Sequence, residues 1–175
     1  MKPKQIVAEA LLCCLALVLS YVESLFPLHL AVPGIKMGLP NLVIVFALYR
    51  LGAGSALRIS LVRVGLSALL FGNVFSLLYS AAGAVLSLSL MAILARRSGL
   101  HTAGVSVSGA VCHNLAQIGV AMMVLGTREI IFYLPVLLVS GTVSGVVIGV
   151  LAALMISRIP HEVTDPGKTD GSGKN

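Results

Sequence analysis

The sequence predicts an all-α integral membrane bundle of six transmembrane helices. Hydrophobic residues make up 58% of its 175 residues and charged ones only 10%, with mean hydropathy +1.03. A soluble domain of this size needs a polar surface, and this composition cannot cover one. Where the charges fall is equally telling. Glu162, Asp165 and Asp170 lie in the last 14 residues, and most basic residues bracket apolar runs. Long apolar runs with Lys and Arg at their ends are the pattern of membrane spans.

Helix 1 runs from about Ile6 to Leu25. The Met-Lys-Pro-Lys start mimics a signal peptide, but Glu9 and Glu23 and the lack of a small-residue cleavage site mark a retained helix. A loop from Phe26 to Met37 carries Pro27 and Pro33. Helix 2 is short, about Leu39 to Leu51, and Gly52-Ala53-Gly54 breaks it from helix 3, about Ser55 to Phe71. A full span needs roughly 20 residues, so this pair reads either as short tilted helices or as a re-entrant pair lining a cavity. Gly72-Asn73 turns the chain into helix 4, about Val74 to Ala95, and Arg96-Arg97-Ser98-Gly99 is a loop. Helix 5 covers about Thr102 to Leu125 and helix 6 about Glu129 to Ile156. Residues 1–159 thus form one transmembrane domain. Residues 160–175, polar and rich in Gly, are expected to be a disordered cytoplasmic tail.

Six spans with both termini cytoplasmic put Lys2, Lys4, Arg50, Arg96, Arg97 and Arg158 on the inner side, leaving Lys36 and Arg128 outside. The chain is therefore expected in a bacterial inner membrane, in contact with lipid along most of its length.

Several functions are excluded or disfavoured. The net charge of +6 is scattered at span ends, which is no nucleic-acid signal. Cys13, Cys14 and Cys112 lie in apolar runs with no CxxC or Cys/His spacing, so neither a disulfide framework nor a metal site is indicated. The chain has two Asp, both in the tail, whereas prenyl diphosphate chemistry uses aspartate clusters to hold magnesium. It has no phosphate-binding glycine loop, HExxH or GxSxG. No catalytic residues and no cofactor are expected; binding, transport or scaffolding remains.

Two kinds of stripe run along the helices. Gly141, Gly145 and Gly149 are tandem GxxxG units, and Gly104, Ser108, Cys112 and Ala116 repeat the spacing on helix 5. Small residues at this spacing let helices approach closely, either within one bundle or against a partner, a second copy included. The other stripe is polar. His113 and Gln117 share a face of helix 5, Gly109 leaves room one turn before, and Asn114 faces a neighbouring direction. Three polar residues within five positions at mid-span read as a buried polar site, or as a structural hydrogen-bond network.

Arg58 and Arg63 fall inside an apolar run. A charge there costs roughly 2.5–3.5 kcal/mol on insertion scales, so it persists where a polar interior receives it. Arg58, nearer the cytoplasmic end, can snorkel; Arg63 needs a carboxylate, carbonyls or a bound anion. Glu9 and Glu23 lie on roughly one face of helix 1. Glu9 suits Arg58 or a cytoplasmic contact, and Glu23 or an anionic ligand suits Arg63. The segment Pro33-Gly34-Ile35-Lys36-Met37-Gly38-Leu39-Pro40-Asn41 is a further candidate. It joins a basic side chain to glycines and a helix start that favours anions; as plain structure it is an interfacial loop with a snorkelling lysine.

These segments also carry a resemblance. Residues 33–41, Ala47-Leu48-Tyr49, Arg63 with Leu69-Leu70-Phe71-Gly72, Gly104-Val105-Ser106, Gly109-Ala110-Val111-Cys112-His113-Asn114-Leu115-Ala116-Gln117 and Tyr133-Leu134-Pro135 resemble the membrane family called heptaprenyl diphosphate synthase component I, also labelled Gx transporter. The resemblance spans about residues 5–157. Pro40 departs from it, since the family more often has a small residue there. The family in turn is similar to the substrate-binding S components of energy-coupling factor (ECF) transporters, six-helix proteins with both termini inside and a ligand site near the outer face. The resemblance implies Lys36 and Asn41 at a cap over the ligand, and Ala10 and Cys14 facing a coupling subunit. The leading expectation is a protein that binds a small anionic, amphipathic or isoprenoid-like molecule for transport with partner subunits. In it Arg63 anchors the anion, with Glu23, Lys36, Asn41, His113, Asn114 and Gln117 around it. The rival is a non-catalytic accessory subunit of a prenyltransferase, in polyprenyl diphosphate or quinone biosynthesis, or of a membrane redox module.

Overall fold

The structure is a computed structural model and describes residues 3–25, 37–97 and 99–159. Among the described residues are six α-helices: α1 (Pro3–Leu25), α2 (Leu39–Arg50), α3 (Ala53–Phe71), α4 (Val74–Arg97), α5 (Thr102–Leu125) and α6 (Leu134–Arg158). A 3₁₀ turn, Glu129–Tyr133, leads into α6, and no strand occurs among the described residues. The segment with Lys36, and the tail from Pro160, lie outside the described residues.

Among the described residues, five helices are long and apolar enough to cross a membrane; α2 is the shorter one. The chain is a multi-pass membrane protein. Several boundaries differ from the sequence reading. With 19 residues, α3 reaches about 28 Å at 1.5 Å per residue, close to a full hydrocarbon core. It is therefore long and apolar enough to be a span of its own. Arg96 and Arg97 form the last turn of α4 and not a loop, where their charge complements the carbonyl end of the helix. Residues 129–133 are not α-helical; Pro135, in the first turn, fits the start of α6 at Leu134.

Each turn has a local cause. Gly52 takes φ +88°, a backbone state that a side chain disfavours, and lets α3 start with only two residues between it and α2. Asn73 accepts the Ser76 N–H at 2.7 Å and so caps the start of α4.

Contacts run around a closed ring, α1 to α3 to α4 to α5 to α6 to α2 and back to α1, with α2 also touching α3. Seven of the 12 residues of α2 are buried, among them Val43, Ile44, Val45, Phe46 and Ala47. This helix is hydrophobic nearly all round because protein surrounds it. Its Arg50 donates to the carbonyls of Ile156 and Ile159, fixing its last turn to the end of α6. At about 18 Å its length falls well short of a bilayer core. Aligned with α6 at the Arg50 end, α2 therefore stops short at the opposite end and leaves space inside the bundle.

The glycines of α6 face α5. A Cβ on Gly145 would come within 2.8 Å of the Val107 Cα, and one on Gly149 would crowd Ala103 and Ser106. One on Gly141 would collide with the Asn114 amide. The glycine stripe is therefore occupied within the bundle, the first of its two readings, and not by a second copy of the chain. The face of α5 that meets it is Ala103, Ser106, Val107, Ala110 and Asn114, one position away from the stripe read at Gly104, Ser108, Cys112 and Ala116.

Candidate functional site

The space beyond the start of α2 is a cavity of about 60 Å³. All six helices reach it: Glu23 from α1, Pro40 and Asn41 from α2, Arg63 from α3, Ser80 from α4, His113, Asn114 and Gln117 from α5, and Ser140 and Ser144 from α6. The structure thus brings together six of the residues singled out in the sequence, Glu23, Asn41, Arg63, His113, Asn114 and Gln117. Lys36 lies outside the described residues.

Glu23 is positioned through the backbone. Its Oε1 accepts the Gly38 N–H at 2.7 Å. Gly38 sits at the α2 N-cap with φ +76°, and Pro40 follows where a helix-start N–H is dispensable. The carboxylate therefore caps the α2 start, where a negative charge is favoured. No ion pair joins it to Arg63; the salt bridge among the described residues is Arg58 Nη2 to Glu9 Oε1 at 2.6 Å. The partner expected for Arg58 is the one it has. A second bond, Arg58 Nε to Glu9 Oε2 at 3.0 Å, makes the pair bidentate, and Gln5 and Ser55 extend it. That pair lies toward the Arg50 end, away from the cavity.

Arg63 is held differently. Its Nη1 donates to Ser20 Oγ at 3.3 Å, and its Nε is buried with no hydrogen-bond partner. Ser20 in turn donates to the Ala16 carbonyl. A guanidinium with one long neutral hydrogen bond in an apolar bundle keeps unspent capacity for an acceptor.

On α5 the polar residues divide their roles. Asn114 Nδ2 donates to the Leu137 carbonyl at 2.6 Å, a hydrogen bond across the α5–α6 contact. Gln117 is buried and lines the cavity. The His113 ring packs against Gly83 of α4, where any Cβ would stand within 2.8 Å of the ring. Room for the imidazole thus comes from Gly83; Gly109, expected to provide it, accommodates Met91 instead. Sequence reasoning missed Gly83, Ser80, Ser140 and Ser144. Small and hydroxyl residues are common in membrane helices, and only the helix rotations tell which of them face inward.

The family described as heptaprenyl diphosphate synthase component I matches residues 12–155. The chain belongs to that family. The matched span contains all the cavity residues named above. No curated protein matches the chain, and no solved structure does.

Proposed function

We propose that this member of the heptaprenyl diphosphate synthase component I family is a ligand-binding membrane subunit. It takes a small polar molecule into the cavity among its six helices and passes it across the membrane, or presents it, with partner subunits. One observation carries this reading: polar and charged side chains from every helix converge on one internal space. Polar groups inside a membrane bundle are costly unless satisfied, and a bundle needing only packing would fill that space with apolar side chains.

The plan of an ECF S component agrees with this reading. Six helices, one cavity beyond a shortened second helix, and the exposed Ala10 and Cys14 on α1 suit a ligand site near the outer face and a docking strip for a coupling subunit. Both termini then face the cytoplasm of a bacterial cell. Arg63 anchors an acceptor, with Asn41, His113 and Gln117 around it.

The second reading, a non-catalytic accessory subunit of a polyprenyl diphosphate synthase, draws on the family's description. Native mass spectrometry of protein purified gently from its own host membrane separates the two. A retained small molecule, absent from Arg63→Ala, supports ligand binding. A stoichiometric prenyltransferase with no small molecule supports the accessory role.

A further inference from the structure

We infer that the molecule taken into this cavity is a small zwitterion, bearing one anionic group for Arg63 and one protonated or N–H-bearing nitrogen for Glu23. The inference rests on the ligand-binding reading above. Arg63 and Glu23 are the lining residues of fixed charge among the described ones. They have opposite signs, share one cavity, and do not close on each other into an ion pair. One Glu23 oxygen is engaged by the Gly38 N–H, which leaves the other for a donor from the cavity. Arg63 has one long hydrogen bond to a neutral hydroxyl and an unpartnered buried Nε.

Glu23 lies near enough to Arg63 to favour its charge but makes no contact ion pair with it, so the buried guanidinium keeps part of its desolvation cost uncompensated. A ligand with complementary ends supplies a contact partner at both. A plain anion satisfies Arg63 but also meets the Glu23 carboxylate, and a plain cation does the reverse.

Size narrows the class further. A water needs about 10–15 Å³ of such space, so 60 Å³ amounts to a handful of water-sized positions. A contiguous recess of about 20 Å³ shares Gly38, Asn41, Ala110 and Ser144 with the cavity and continues between Val45, Met91 and Ile148. It offers a narrow, mostly apolar extension. The space fits a molecule of amino-acid size with a short side group. A long prenyl chain exceeds it, and a diphosphate would bring several negative charges to one arginine beside a carboxylate.

The sign of one substitution tests the charge assignment. Glu23→Gln keeps an oxygen acceptor for the Gly38 N–H and removes only the charge. For a zwitterion it weakens binding by roughly tenfold or more, the scale of a lost charged hydrogen bond; for a plain anion it strengthens binding by relieving repulsion. The probe is the host's own low-molecular-mass extract, incubated with the detergent-purified chain. Adducts are read by native mass spectrometry for wild type, Glu23→Gln and Arg63→Gln, and the wild-type ligand is released and identified. The expected result is a ligand carrying both an anionic and a nitrogen-donor group, weakened by both substitutions. Unchanged or tighter binding in folded Glu23→Gln, or a ligand lacking either group, overturns the zwitterion while leaving ligand binding intact. If Glu23→Gln does not fold, the identity of the wild-type ligand decides alone. No adduct on wild type overturns ligand binding itself.

Discussion

At the scale of single residues, the site depends on neighbours that carry no chemistry. Gly83 is the clearest case, because the His113 ring occupies the place where a Cβ would be. Gly83→Ala should push the imidazole toward the cavity and reduce binding of the endogenous ligand several-fold. Ligand retained in native mass spectrometry is the readout. Asn114→Ala acts on stability. It removes the donor to the Leu137 carbonyl and should lower stability by about 1 kcal/mol, the usual worth of an interhelical hydrogen bond in a membrane. Ser140 Oγ still donates to that carbonyl at 3.1 Å, so the acceptor is not orphaned and the loss stays small. Charged and amide residues such as Arg63, Glu23, Asn41 and Gln117 were legible in the sequence because a polar side chain inside an apolar run demands a reason. Gly83 and the cavity serines were not, because glycine and serine are compatible with packing, lipid contact or a site alike. Helix rotation decides among these, and it is set by contacts between segments far apart in the chain.

At the scale of elements, the contact of α5 with α6 is the most extensive among the described helices, and its glycines let backbone meet backbone. Gly145→Ala would put a methyl group against Val107 backbone, which cannot yield as a side-chain tip can. It should lower stability by about 1–3 kcal/mol, the cost of overpacking, read as a fall in the unfolding midpoint. Gly119→Ala on α5 is the control. Its Cβ would meet nothing within 4 Å, so it should be neutral or slightly stabilising through helix propensity. Equal effects of the two substitutions would refute the close contact. The spacing of Gly141, Gly145 and Gly149 announced a packing stripe, but not which surface it meets; the one-position offset on α5 shows why. Small residues are frequent on several faces of that helix, so spacing alone does not choose between them. The short α2 was legible as a departure from span length. Its meaning, a buried plug that leaves space beyond its N-terminus, required the partners α1, α3 and α6.

At the scale of the whole molecule, the charge distribution and the cavity make one joint prediction about direction. Arg50, Arg97, Arg158 and the N-terminal turn of α1 lie at one end of the bundle, because α2, α4 and α6 end there and α1 and α3 begin there. The Glu9–Arg58 pair lies toward that end and the Glu23–Gly38 contact toward the other. Lys and Arg near span ends favour the cytoplasmic side, so the Arg50 end should face inward and the cavity should sit toward the outer leaflet. Single cysteines test this in a background with Cys13, Cys14 and Cys112 replaced by Ala. Thr127→Cys, before α6, should react with a membrane-impermeant maleimide on intact cells. His101→Cys, at the start of α5, should react only after permeabilisation. A reversed pattern would place the cavity on the cytoplasmic side and exclude capture of a ligand from outside. It would suit delivery to, or from, a cytoplasmic enzyme instead, and would shift the balance toward the accessory reading. The labelling therefore bears on function as well as topology: the same polar cavity serves uptake if it faces outward and exchange with a cytoplasmic partner if it faces inward.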